Sequence, residues 1–206
     1  MVIKKYEVGA FLVNCYLLAD ESSKTCAIID AGDVCRELEE EITLNGYNVK
    51  YLIFTHGHFD HIGGAHHYAK RYGAKVLVHS LDAVCLRDER ANFTYPAPYK
   101  FEPCVVDGLL SDGDIIEVGN IKLEVIHTPG HTVGGVTLYT DGVAFSGDTL
   151  FYRSVGRTDF AGGSFDELSL SVKRLYTLPK KTVVYPGHGC HTFICDEIIK
   201  NPYVRL

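Results

Sequence analysis

Four side chains with metal-binding atoms stand within six residues of this chain, in Thr55-His56-Gly57-His58-Phe59-Asp60-His61. Three imidazoles and a carboxylate are borderline-to-hard donors, suited to zinc, iron or manganese. A structural zinc site usually takes four ligands, commonly thiolates with imidazoles, and closes its coordination sphere. No cysteine lies in this segment, so the donor set points to a site that keeps room for water. Three more residues of the same chemistry stand alone farther on: His131 in Thr128-Pro129-Gly130-His131, Asp148 after Ser146-Gly147, and His188 after Pro186-Gly187. A lone His131 or Asp148 says little, because a Pro-Gly turn or a helix-capping aspartate explains each as well. Their weight comes from joining the first cluster.

The elements that must carry these residues share one pattern. The apolar run Val49-Lys50-Tyr51-Leu52-Ile53-Phe54 reads as a buried strand, and a helix follows from Ile62, which puts the first cluster on a strand-to-helix turn. His56 and His58 are two apart, so extended backbone sends both rings to one side, while Asp60 and His61 leave from the helix start at another angle. One segment can thus feed two adjacent metal positions. His131, Asp148 and His188 each follow a further apolar, strand-like run. Ligand sites in layered α/β proteins gather on loops beyond strand ends, and all four clusters obey that rule. Elsewhere, strands are expected over 2–8, 14–19, 26–30, 75–79, 114–117, 121–127, 136–140, 143–146 and 182–185. Helices are expected over 36–45, ending at Gly46, and over 62–72, 81–90 and 165–178. Mixed strands and helices throughout favour two layered sheets flanked by helices.

The pattern resembles the metallo-β-lactamase superfamily of hydrolases, and within it the glyoxalase-II-like (hydroxyacylglutathione hydrolase-like) members. The resemblance is carried by Asn14-Cys15-Tyr16, residues 55–64, 128–135, 146–159 and 186–189, and Asn201-Pro202. It implies an α+β fold, a single-domain four-layer αββα sandwich over residues 1–206 with the site at one edge between the sheets. It further implies two divalent ions, zinc first, with iron or manganese as alternatives. His56, His58 and His131 would hold one ion and Asp60, His61 and His188 the other, with Asp148 bridging.

Composition sets limits on partners. At 206 residues and 46% hydrophobic residues the chain can bury one good core. No run of about 18 apolar residues is present to span a bilayer, and Met1-Val2-Ile3-Lys4-Lys5 lacks the apolar core of a signal peptide, so a cytoplasmic, non-membrane protein is expected. The net charge of −6 argues against a nucleic-acid surface. Two divalent ions would offset four of those charges and make the site itself attractive to a small anionic or carbonyl-bearing substrate. The seven cysteines form no Cys-x-x-Cys pair and read as free thiols, with Cys190, two residues after His188, the one placed near the candidate site. Oligomeric state has no signature in the sequence.

Substrate contacts are expected from two segments. Residues 92–112 are long, carry Pro96, Pro98 and Pro103 with Phe93, Tyr95, Tyr99 and Phe101, and suit a lid over an apolar acyl group, Tyr95 being the substrate contact named. Phe151 to Asp159 follows Asp148 directly, and Arg153 or Arg157 there could hold a substrate carboxylate, an internal pair of Arg157 with Asp159 being the competing explanation. His66, His67, His79, His127 and His191 have no ligand spacing; His79 and His127 end strands and suit hydrogen bonds to ligands, and His191 could approach substrate.

The chemistry expected of such a set is hydrolysis. Water held between two cations loses a proton near neutral pH, a cation polarises the carbonyl, and Asp60 is the catalytic group that orients the nucleophile and carries a proton to the leaving group. A thiolate leaves readily, so a thioester such as an acyl-glutathione, or a related ester, is the substrate expected. The glyoxalase II pattern includes a C-terminal helical domain with basic residues for glutathione, whereas this sequence ends at Leu206. Zinc β-lactamases place cysteine or serine where Asp148 stands, and Gly57 is not the acidic ligand of the oxygen-reducing di-iron branch. The rival from another class is an iron persulfide dioxygenase built on His56, His131 and Asp148, which the run Gly156-Arg157-Thr158-Asp159-Phe160 also resembles. A non-catalytic metal-binding domain is the third reading.

Overall fold

The computed structural model describes residues 1–95 and 100–206. Two six-stranded sheets make its frame. In the first, strands β1 (Val2–Val8), β2 (Val13–Asp20), β3 (Thr25–Ile29), β4 (Asn48–Ile53), β5 (Lys75–His79) and β6 (Gly108–Leu110) lie in sequence order, antiparallel through β3 and parallel from there. The second runs β14-β13-β10-β9-β8-β7, from β7 (Ile115–Val118), β8 (Ile121–His127), β9 (Val136–Thr140), β10 (Val143–Gly147), β13 (Val183–Pro186) and β14 (Thr192–Phe193). A small hairpin, β11 (Leu150–Phe151) with β12 (Ser154–Val155), lies between β10 and β13 in sequence.

Strand periodicity explains the layering. Every residue of β2 is buried, and alternate side chains serve opposite faces: Cys15, Leu17 and Ala19 join a cluster with helices α1 (Arg36–Asn45) and α3 (Ala65–Tyr72), while Tyr16 and Leu18 face the other sheet. Between the sheets, Ile29 and Ile53 meet Val118, Leu123, Val125, Leu138 and Phe145. On the far side, Ile126 and Val184 pack against Val172 and Leu175 of α4 (Phe165–Leu175) and Ile194 of α5 (Ile194–Lys200). The result is the four-layer αββα sandwich of an α+β fold. Among the described residues, no helix is long and apolar enough to cross a membrane.

Three expectations need correction. The helix expected from Ile62 is two pieces, α2 (Phe59–Ile62) and α3, parted at Gly63-Gly64. The turn after β3 packs onto that break so closely that a Cβ on Gly63 would fall 2.3 Å from the Gly32 carbonyl oxygen. The helix expected over 81–90 is only a 3-10 turn, Ala83–Leu86. Residues 92–112 are not one lid, because their end supplies β6 to the first sheet, Cys104 N–H bonds to Leu86 O, and the Asp107 carboxylate accepts from Val76 N–H. Pro96, Pro98 and Tyr99 lie outside the described residues. The short strands β11, β12 and β14 and helix α5 carry too little periodicity to have been expected.

Candidate metal centre

All seven expected ligands converge on one point at the edge between the sheets. His56 and His58 stand on the turn after β4 of the first sheet, and Asp60 and His61 on α2. His131, Asp148 and His188 follow β8, β10 and β13 of the second. Their donor atoms form three groups, each within 4.8 Å: His56 with His58 and His131, His56 with His61 and Asp148, and Asp60 with His61 and His188. Asp148 lies between the rest, its Oδ1 3.4 Å from His61 Nε2 and its Oδ2 3.5 Å from His131 Nε2 and 3.7 Å from His188 Nε2. Only glycine fits at 187, since a Cβ there would sit 2.1 Å from Asp148 Oδ1.

Four of the five imidazoles are turned by an acceptor on the Nδ1 side. His61 Nδ1 lies 3.0 Å from Asp30 Oδ2, His131 Nδ1 2.7 Å from Arg157 O, His188 Nδ1 3.2 Å from Phe11 O, and His56 Nδ1 3.2 Å from Thr55 Oγ1. The Thr55 hydroxyl itself donates to Asp30 Oδ2, leaving its lone pairs for His56. A hydrogen on each Nδ1 leaves the Nε2 lone pair free to face inward, the arrangement that metal-binding histidines use. Asp30, buried and also accepting from Thr55 N–H at 2.8 Å, is a residue that the sequence reading missed. Its signal was there: Asp30 ends the apolar run of β3 and precedes Ala31-Gly32, the same strand-end pattern that marked the ligands.

Four of the inward atoms lack a hydrogen-bond partner among the described residues. His56 Nε2, His61 Nε2, His131 Nε2 and Asp148 Oδ1 are buried without a hydrogen bond. Buried polar atoms are nearly always paired, so four orphans converging on one another, all lone-pair donors, fit divalent cations. Charge differs across the cluster. Burial and the neighbouring imidazoles push His56 well below its usual range, and burial with His131 and His61 takes His58 down to about 3. Both are neutral and ready to donate a lone pair. Burial also opposes charge on His61 and His188, yet Asp148, Asp30 and Asp60 outweigh it and raise His61, and the bond from His188 to Asp60, together with the Asp148 charge, raises His188. Burial favours the neutral acid at Asp60 and Asp148, but His61 and His188 hold Asp60 low, and His61, His131 and His188 hold Asp148 low.

The proposed substrate contacts fare differently. The Arg157 guanidinium pairs with Asp159, Nε to Oδ1 at 2.6 Å, and lies 4.0 Å from the Phe160 ring centre, so it is the Arg157 carbonyl that reaches the cluster. Arg153 stacks over Tyr152, and Tyr95 is exposed under Arg90. Among the described residues no hydrogen bond, ion pair or ring contact joins Arg153 or Tyr95 to the ligands. His79 and His127 do not bond to ligands either; they stack on each other at 4.3 Å. Cys190 is exposed, and His191 contacts Tyr185 and Phe193. Aromatic rings do wall the cluster: Phe93 and Phe160 approach His58, and on the other side Phe11 meets Phe59 edge-on. Beside that second wall a cavity of about 350 Å³ opens onto Asp60, with Phe101 and Lys100 also lining it.

Two mixed sheets packed face to face between helices, with a histidine–aspartate cluster at one edge, define the metal-binding, hydrolase-like fold of the metallo-β-lactamases. The chain belongs to the metallo-beta-lactamase superfamily, whose profile matches residues 8–188. It is 32% identical to hydroxyacylglutathione hydrolase GloC of Haemophilus influenzae, covering 100% of this chain and 99% of that one. The crystal structure of BLEG-1 B3 metallo-beta-lactamase superposes with a TM-score of 0.90 at 31% identity, over 98% of this chain and 99% of that one. ETHE1 from Myxococcus xanthus gives 0.82 at 28% identity, over 99% and 84%.

Proposed function

We propose that this chain is a metal-dependent hydrolase with a dinuclear site, zinc being the preferred ion, that cleaves thioesters of the hydroxyacylglutathione type in the cytoplasm. The observation that carries the reading is the set of buried, unpaired donors shared around Asp148. His56, His58 and His131 would hold one ion, and Asp60, His61 and His188 the second, with Asp148 between. Divalent ions there supply Lewis acidity toward a carbonyl oxygen and a nucleophile at neutral pH by lowering the pKa of water.

The chain's own residues do the rest. Asp30, Thr55 and the carbonyls of Phe11 and Arg157 fix the ring tautomers before substrate arrives. The Asp60 carboxylate, held ionised and lying at the cavity's edge, is placed to accept a proton at an Oδ atom and pass it to the departing thiolate. The Phe11–Phe59 wall is placed to pack against the carbon chain of the acyl group. Thioester specificity is supported by the name of the Haemophilus relative, which this chain matches along 99% of its length.

A second reading, the iron persulfide dioxygenase on His56, His131 and Asp148, is favoured by the Gly156–Phe160 run but leaves Asp60, His61 and His188 without a task. The test is anaerobic thiol release from S-lactoylglutathione by zinc-loaded protein, with His58→Ala as the control, beside oxygen uptake with glutathione persulfide on iron-loaded protein and cleavage of a chromogenic β-lactam. Thiol release by the wild type alone supports the proposal. Oxygen uptake or β-lactam cleavage without thiol release rejects it.

A further inference from the structure

The three imidazoles of the first group come from different sheets, so something must hold their loops in register. Asp82, which follows β5, sits between those loops and is 2% exposed. Its Oδ2 accepts from Gly57 N–H at 2.9 Å, on the turn between His56 and His58, and from the Thr132 hydroxyl at 2.7 Å, next to His131. Its Oδ1 accepts from Gly134 N–H at 2.9 Å. One acceptor-only group thus joins the first-sheet turn to the second-sheet loop. Gly57 and Gly134 permit the approach: a Cβ at 134 would lie 2.5 Å from Asp82 Oδ1, and one at 57 would lie 2.5 Å from the Cys85 Cβ.

Asp82 also stands at the start of the segment where the helix expected over 81–90 is only a short 3-10 turn. An aspartate before an apolar run is a natural helix N-cap. Here the carboxylate makes no capping bond and is turned to the ligand loops instead, at the head of the 3-10 turn Ala83–Leu86. A local rule broken this way marks a position where tertiary demands prevail.

We propose that Asp82 is a positioning residue that ties the His56–His58 turn to the His131 loop and so sets the spacing of those three imidazoles. This rests on the reading of the three as one metal position. The experiment uses the full chain stripped of metal, with zinc or cobalt(II) alone as the probe. Affinity is read by competition with a chromophoric chelator, and ligand geometry by the visible bands of cobalt(II). Asp82→Ala should lower affinity for the first ion about 10- to 100-fold and change the cobalt spectrum, Asp82→Asn should fall between it and the wild type, and Thr132→Val should have a smaller effect of the same sign.

Asp20→Asn is the control. Asp20 makes the same kind of tie far from the ligands, accepting from Ser22, Ser23 and Asn120, and its loss should lower thermal stability while leaving metal affinity and spectrum unchanged. Wild-type affinity and spectrum in both Asp82→Ala and Thr132→Val would overturn the proposal, as would an equal loss in Asp20→Asn. Should Asp82→Ala not fold, Thr132→Val, which removes a single donor, decides. A wild type that takes up no ion overturns the metal reading and this inference with it.

Discussion

The two halves of the cluster are built on opposite principles. His56, His58 and His131 are each no more than 6% exposed, and burial keeps His56 and His58 neutral. The Asp60, His61 and His188 half is richer in charge and more open, with the His188 side chain 30% exposed, and its imidazoles are drawn toward the protonated state by Asp60 and Asp148. The first half is a set of lone pairs waiting for a cation. In the second, protons already occupy part of the place of a cation and must leave when one binds. If the cluster holds two ions as proposed, the first half would bind tightly over a wide pH range and the second, beside the cavity, would bind with release of protons.

Removing one ligand from each half tests this most strongly. His131→Ala should abolish tight binding of the first ion and cut thiol release by about a thousandfold, whereas His188→Ala should keep one ion and cost about 10- to 100-fold. Metal content after dialysis and turnover of the same samples would show it, and equal losses from the two variants would erase the distinction. Next in size is Asp30→Asn. It loosens the His61 ring directly and the His56 ring through Thr55, and should weaken the second ion about 10- to 100-fold and the first by less, read by two-step chelator competition.

Acid offers a finer contrast. Protons on His61 and His188, whose pKa values are raised, compete with the cation, so affinity of the second half should drop by up to about tenfold per pH unit for each proton displaced. His56 and His58, held low, add no such competition near neutrality, and the first ion should be lost at lower pH than the second. Simultaneous loss on acidification would contradict this. The last contrast is in stability without metal. The folded-state pKa of His58, about 3, is depressed below the ordinary imidazole value, so the unfolded chain binds the extra proton between the two. The contribution is therefore lost as pH falls from about 6.5 toward 3, and His58→Gln should flatten that part of the profile of Tm against pH.

Much of this was legible in the sequence because strand-end loops carried the ligands and apolar runs marked the strands. The expected boundaries of β1, β5, β8 and β9 coincide with those observed, and Gly46 does end α1. What the sequence hid were the contacts made between distant loops. Asp82 falls in the expected helix over 81–90 and Asp30 at the end of the expected strand over 26–30; the meeting of the sheets gives Asp82 its partners, and the packing of β3 beside the turn after β4 gives Asp30 its own. Arg157 shows the same limit: side-chain chemistry suggested a substrate contact, while the atom that touches the cluster is a backbone oxygen, which any residue possesses. The break at Gly63-Gly64 likewise depends on the Gly32 carbonyl packing against it from another part of the chain.

The most direct test of the two-halves account is a titration of metal-free protein with zinc, following ions bound per chain and anaerobic thiol release from S-lactoylglutathione in the same samples. The expected result is a first ion bound with little turnover, then activity rising with a weaker, pH-dependent second ion. Full activity at one ion per chain, or no second ion at neutral pH, would contradict the dinuclear hydrolase.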